Sequence, residues 1–250
     1  MRPNLRHQVA VVTGAGRGIG RAIAVRLAAA HCRVAAIART RNDLEDTVEA
    51  GRAAAAEAAV HDAEPILAVP VDITDDGGIE EAVRFIFERL GRIAILVNNA
   101  GYAPPRTSVL KTSLADWDQT LGTCLRAPMV LTRLVLPDML AHGQGAIVNI
   151  ASVAAKAGRA GEAAYAAAKF GLLGFTQSLY EEVHNHGIKV TAICPGLVDT
   201  DFIPPNNKID RAKFLQPEDI ADIVYNVVSS PFRMCPREIV VEPQYDPELS

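Results

Sequence analysis

The chain is 250 residues long, 49% hydrophobic and 22% charged, with a formal net charge of −4, which is enough for one large globular domain with a sizeable core. Lys and Arg are scattered through an acidic chain of pI about 5.9, which excludes a basic face for a phosphate backbone and, with it, a nucleic-acid partner. Cys32, Cys124, Cys194 and Cys235 have neither C-x-x-C spacing nor a nearby histidine pattern, so they read as reduced core thiols and no metal site is expected; no apolar run reaches signal or membrane length, so the chain reads as soluble and cytoplasmic.

Taken in chain order, short β-branched or apolar runs recur at Val9 to Val12, Arg33 to Ala38, Ile66 to Val71, Ile93 to Val97, Ala146 to Ile150, Lys189 to Ile193 and Glu238 to Val241. They lack polar/apolar alternation, so they read as strands buried on both faces. Helical patterns fill the intervals: Arg17 to His31, Thr40 to Ala59, Gly77 to Leu90, Ser113 to Ala141, Glu162 to His186 and Pro217 to Ser230. Alternating strands and helices predict a doubly wound α/β fold, a seven-stranded parallel sheet covered on both faces, in a single domain spanning residues 1–250. The alanine-rich stretch "GRAAAAEAAVHDAE" reads as helix rather than linker.

Several stretches carry chemistry. The first strand runs into "TGAGRGIG", where Gly14, Gly18 and Gly20, with Gly16 as an extra, allow positive φ and a close ligand approach at a helix N-terminus. The spacing is not the usual G-x-G-x-x-G, and such a turn by itself also serves close helix–strand packing. "NNAG" (Asn98 to Gly101) follows the fourth strand and Ser152 the fifth; "PGLVDT" (Pro195 to Thr200) follows the sixth. In "EAAYAAAKFG", Tyr165 and Lys169 share one helix face four residues apart. An isolated Y-x-x-x-K is ordinarily a half-buried tyrosine beside a solvated lysine, so its meaning depends on the other motifs.

Those five motifs, at the ends of successive strands and covering nearly the whole chain, resemble in order and spacing the short-chain dehydrogenase/reductase family, in particular its 3-oxoacyl reductase-like members. The resemblance implies an oxidoreductase that reduces a carbonyl to an alcohol, or the reverse. Tyr165 is then the general acid or base. Lys169 lowers the phenol from its free value of about 10 and holds the nicotinamide ribose. Ser152 holds the substrate oxygen, although a serine there also suits a helix cap. The cofactor contacts implied are Gly14, Arg17, Gly18, Ile19 and Gly20 in the turn, Arg39, and Asp72 with Ile73 at the adenine, Asp72 doubling as an N-cap. Asn99, Ala100 and Gly101 follow at the adenosine ribose, Pro195, Gly196, Val198 and Thr200 at the carboxamide, and Tyr165 and Lys169 complete the set.

An acidic residue at the end of the second strand marks NAD, whereas arginine suits a 2′-phosphate. Here Ala38 takes the acidic position and Arg39 follows, with Arg17 expected to converge on the same point, so NADP(H) is read over NAD(H). A substrate lid is expected at about 200–216, with Phe202, Ile203 and Phe214 over an apolar substrate. Tyr102 and Pro104 face it, Ala154, Gly158 and Arg159 lie near Ser152, and Arg159 is placed facing water. The C-terminal "VEP" turn replaces the family's glycine-rich finish. Family analogy implies a homotetramer built through the two long helices, or a homodimer. The largest departure is Cys124, seven residues after Trp117, where the family carries an asparagine that helps hold a water beside the lysine. The alternative function is a catalytically silent NADP-binding sensor or scaffold; the intact Ser152, Tyr165 and Lys169 favour the enzyme.

Overall fold

The computed structural model describes residues 4–60, 64–203 and 210–245. The apolar runs form β1 (Val9–Thr13), β2 (Arg33–Ala38), β3 (Ile66–Pro70), β4 (Ile93–Asn98), β5 (Gly145–Ile150), β6 (Ile188–Pro195) and β7 (Glu238–Val241). They pair in the order β3-β2-β1-β4-β5-β6-β7, every pair parallel, with Val12 opposite both Ala36 and Val97 and Asn98 opposite Asn149. The helices are α1 (Gly18–Ala29), α2 (Arg41–Glu57), α3 (Asp76–Leu90), α4 (Leu114–Leu121), α5 (Ala127–His142), α6 (Ala163–Val183) and α7 (Pro217–Ser229).

The missing polar alternation has a direct cause: both faces of the sheet are core. Ala10, Val12, Val34, Ala36, Val97 and Val148 pack with Ile23 and Leu27 of α1, Leu44 of α2 and Ile220 and Val224 of α7. Their neighbours in sequence, Val9, Val11, Ala35, Ile37, Leu96 and Ile147, pack with Ile86 of α3, Val135 and Met139 of α5 and Val183 of α6. Successive residues point to opposite sheet faces, and burying each such Val, Leu, Ile or Met side chain stabilises by about 1.5–3 kcal/mol. The chain reaches the β3 edge and returns to lay β4 on the free side of β1, so the strand order reverses there. The C-terminal ends of β1 and β4 therefore flank the crevice in which open α/β sheets bind ligands.

The long helix expected over Ser113 to Ala141 is interrupted. It begins at Ser113, whose hydroxyl accepts the Asp116 N–H at 3.0 Å, and α4 gives way to a wide π turn over Gly122–Arg126 before α5. The helix expected from Glu162 to His186 is α6 followed by a 3-10 turn, His184–His186. In the alanine-rich stretch α2 ends at Glu57, and residues 61–63 lie outside the described residues, as does the 204–209 part of the expected lid. Among the described residues no helix is long and apolar enough to cross a membrane.

Candidate active site

At the end of β1 the backbone turns through Gly14 and Gly18, with φ of +63° and +53°. Here glycine is required by geometry: a Cβ on Gly14 would lie 2.8 Å from the Ala100 Cα, and one on Gly20 only 2.2 Å from the Gly14 carbonyl oxygen. Two side chains the sequence reading passed over hold the turn. Arg21 donates through Nε to the Gly16 carbonyl at 3.0 Å, and the Thr47 hydroxyl donates to the Ala15 carbonyl at 2.9 Å. A third, Thr13, accepts the N–H groups of both Asn99 and Ala100 at 3.0 Å, while the Asn99 amide donates to the Thr13 carbonyl at 2.9 Å. The "NNAG" segment is thereby fastened to the glycine turn across the crevice.

The arginines expected to converge face different loops. Arg17 stands 3.9 Å from Asp201, both strongly exposed, so that pair is weak. Arg39 is exposed at the end of β2 and acts on Asp72. Burial alone raises the Asp72 carboxyl, but the N–H and hydroxyl of Thr74 and the Arg39 charge outweigh it and hold it below the usual carboxylate range. The Asp72 carboxylate accepts from Thr74 N at 2.9 Å and Thr74 Oγ1 at 2.8 Å. It shapes the turn before α3 without capping the helix; the N-cap is Asp75. Ile73 is buried beside it. The Asp43 carboxylate, from the first turn of α2, stands against Gly16.

Ser152, Tyr165 and Lys169 come together at the ends of β5 and α6. Ser152 starts a 3-10 turn, its hydroxyl accepting the Ala154 N–H at 3.1 Å, and the same side chain is the hydrogen-bond partner of the Tyr165 hydroxyl. The N–H of Ser152 donates to the Cys194 sulfur at the end of β6. Lys169, one turn beyond Tyr165, is buried at 3% exposure. Its ammonium donates to the Ile150 carbonyl at 2.7 Å and lies 5.6 Å from the Tyr165 ring centre. The expectation of a lowered phenol is reversed: burial pushes the Tyr165 hydroxyl well above the ordinary value, nearby Cys124 and Glu162 add to the rise, and Ser152 offsets only part of it. Burial in turn lowers Lys169, against the pull of Cys124 and Cys194. Desolvation disfavours the charged forms of both groups.

Cys124 lies in the π turn, fully buried. Its sulfur accepts the Tyr102 N–H and its thiol donates to the Tyr102 carbonyl, each at 3.3 Å. The Tyr102 hydroxyl donates to Asp116 at 2.8 Å, so the loop after Gly101 is tied to the α4 region at two points. Behind it runs a buried polar chain absent from the sequence reading: the Asn98 amide donates to Asn149, and Asn149 to Thr176, each at 2.8 Å.

The segment after β6 closes the cleft. Gly196 takes its place because the "VEP" turn lies over it, with Pro243 Cδ 3.1 Å from where a Cβ would be. Val198 is buried, Thr200 packs against Gly18, its methyl 3.1 Å from that residue's Cβ position, and the Phe202 ring lies 5.9 Å from the Tyr165 ring. Phe202 is 47% exposed whereas Phe214 is buried, with the Arg211 guanidinium 5.7 Å from its ring. Phe214 is therefore held in packing. Arg159 is exposed.

The chain matches the short chain dehydrogenase family over residues 8–210. It is 30% identical over 239 residues to an uncharacterized oxidoreductase of Staphylococcus aureus strain USA300, covering 96% of this chain and 98% of that one. It is 34% identical over 233 residues to a 3-oxoacyl-acyl-carrier-protein reductase of Synechocystis sp., covering 91% of each. Among solved structures it is similar to a metagenomic short-chain oxidoreductase crystallised in complex with NADP, with 32% identity, a TM-score of 0.82 and coverage of 98% of this chain and 100% of that one. Levodione reductase is also similar, with 28% identity, a TM-score of 0.84 and coverage of 95% and 96%.

Proposed function

The chain belongs to the short-chain dehydrogenase family and is an NAD(P)-dependent oxidoreductase of it, and from that premise we propose that it reduces a carbonyl to an alcohol with NADP(H), Tyr165 acting as the acid. The observation that carries this reading is the convergence of Ser152, Tyr165 and Lys169 beside the segment that links Thr200 to the glycine turn. When bound, the nicotinamide supplies a hydride to the carbonyl carbon. The protein has to supply the proton. The Tyr165 phenol, held above its ordinary pKa, is protonated near neutrality, so its hydroxyl carries the proton it gives to the oxygen. Ser152 holds that oxygen. As the phenolate forms, the ammonium of Lys169 one turn away gains a partner of opposite sign, which offsets part of the cost of burying the two charges.

The residues present fit a dinucleotide. Gly14 and Gly18 hold the turn at positive φ, Gly20 lets the helix close against the Gly14 carbonyl, and α1 begins at Gly18, so its free N–H groups face the turn. Ile19, Asn99, Ala100, Gly101, Asp72, Ile73, Pro195, Gly196, Val198 and Thr200 are the further contacts proposed. NADP(H) is favoured because Arg17 in the glycine turn and Arg39 after β2 are both exposed while Ala38 replaces the carboxylate of NAD-selective sites. A similar structure was crystallised with NADP. We also propose a cytoplasmic homotetramer formed through α4, α5 and α6.

The test is oxidation of NADPH, with NADH alongside, against ketones, 3-oxoacyl thioesters, quinones and keto sugars. Turnover of at least one carbonyl, faster with NADPH, is expected. Preference for NADH, or an Arg39→Ala variant that binds NADPH unchanged, would sink the cofactor assignment. NADPH binding without turnover of any carbonyl would favour the silent sensor.

A further inference from the structure

We propose that Arg211 is a positioning residue that sets the wall between the cofactor cleft and Tyr165, an assignment that rests on the reading of the site given above. The wall is the segment from Leu197 to Ile203. It carries Thr200, packed on Gly18 of the glycine turn, and Phe202, beside Tyr165. Its regular support is thin: one isolated bridge between Val198 and Leu215, with Asp199 N–H donating to the Leu215 carbonyl at 2.8 Å and Leu215 N–H to the Leu197 carbonyl at 3.1 Å. Beyond Asp199 no further ladder bonds hold it among the described residues.

Arg211 supplies what the ladder does not. It opens a 3-10 turn, Arg211–Lys213, which Asp210 caps by accepting the Ala212 N–H at 3.1 Å. From that fixed base Nε donates to Asp199 Oδ1 at 2.7 Å and Nη2 to the same oxygen at 2.5 Å, while Nη2 also donates to the Thr200 carbonyl at 2.8 Å and Nη1 to the Ile203 carbonyl at 3.1 Å. One planar fork thus fixes three points along five residues, on both sides of Phe202. The guanidinium and the Asp199 carboxylate are each about one-third exposed, so the ion pair itself is partly screened. The geometry is the larger effect: lysine carries the charge but cannot direct donors to three separated acceptors. Misplacing Thr200 or Phe202 by a fraction of an ångström would act on cofactor and substrate together.

The experiment compares wild type with Arg211→Ala, Arg211→Lys and Asp199→Asn in three measurements: NADPH and NADH binding by fluorescence titration, KM and kcat on the best carbonyl, and hydrogen exchange of the Asp199 and Leu215 amides without nucleotide. Arg211→Ala should weaken NADPH binding by roughly tenfold, as the loss of positioned charge-assisted bonds implies. It should raise KM by a larger factor than it lowers kcat, and speed exchange at both amides while the thermal midpoint moves little. Arg211→Lys should follow Arg211→Ala, and Asp199→Asn, which keeps an acceptor oxygen, should fall between. Wild-type binding and KM in Arg211→Ala, or full function in Arg211→Lys, would overturn the assignment. If the wild type binds nucleotide yet reduces no carbonyl, the reading of the reaction fails while binding and exchange still decide on Arg211. If Arg211→Ala does not fold, the soluble Arg211→Lys carries the same comparison.

Discussion

In the proposed reaction Tyr165 gives the proton, and Cys124 bears on how that proton is replaced. The Cys124 thiol is turned to the backbone of Tyr102, accepting its N–H and donating to its carbonyl, and a thiol has little further capacity for a water beside Lys169. A carboxamide has one oxygen and two N–H groups, so Cys124→Asn can keep both Tyr102 bonds and retain a spare donor. Its turnover is expected to equal or exceed the wild-type value, whereas Tyr165→Phe abolishes turnover and leaves NADPH affinity nearly unchanged. General acid assistance is worth about 10² to 10⁴ in rate, and in the proposed reaction only the refilling of the acid depends on Cys124. A Phe variant that turns over like wild type means a different proton donor. An inactive wild type restored by Cys124→Asn would make Cys124 the residue that switched the chemistry off. Burial also sets the titration of Tyr165. Its pKa is raised in the folded chain, so its contribution to stability is fully present below the phenol value of about 10 and is lost as pH rises through the folded value. An ultraviolet difference titration of wild type against Tyr165→Phe, without nucleotide, should show that phenolate only above pH 10; ionisation near neutrality would contradict the burial argument.

The glycine turn is the element whose geometry admits the sharpest substitution test. An alanine methyl at Gly20 would meet the Gly14 carbonyl oxygen at 2.2 Å, and backbone there cannot yield without moving the turn. Gly20→Ala is expected to destabilise by roughly 1–3 kcal/mol, the usual range for overpacking, and to lose nucleotide binding; a calorimetric scan and an NADPH titration check both. This turn was legible in the sequence because its signal is local: glycines at fixed places between a buried strand and a helix. The sheet was legible for the same reason, as were Tyr165 and Lys169 on one helix face. The π turn at Gly122–Arg126 was not, because its apolar and polar residues continue the helical pattern on either side and the two bonds of Cys124 to the Tyr102 backbone join segments far apart in sequence. Arg21, Thr13 and Arg211 escaped likewise. Each is an ordinary polar residue whose partners lie on another loop, and the Asn98–Asn149–Thr176 chain joins residues across two strands and a helix. The lowered Tyr165 expected from Lys169 failed on magnitude: helical spacing gives proximity but not the depth of burial, and burial won.

Among the described residues, packing leaves a face of α6, with part of α5, exposed. On α6, Ala167, Phe170 and Gly174 follow one another at helical spacing and all are exposed, with Phe170 at 47% and, on α5, Met129 at 44%. A Cβ on Gly174 would meet nothing within 4 Å. Glycine inside a helix is less stable than alanine by roughly 0.5–1 kcal/mol, so in an isolated chain Gly174→Ala should be stabilising. If copies of the chain pack on this face in the proposed tetramer, small residues let two helices approach closely, and the added methyl then works against assembly. The two cases give opposite signs. Light scattering after size exclusion is expected to give four times the 26.7 kDa of one chain; Phe170→Glu, which would bury a charge in the contact, should reduce the mass. Gly174→Ala should lower the thermal midpoint or loosen the assembly. A monomer at micromolar concentration, together with a Gly174→Ala variant more stable than wild type, would mean that the face belongs to solvent and that one chain carries the complete site alone.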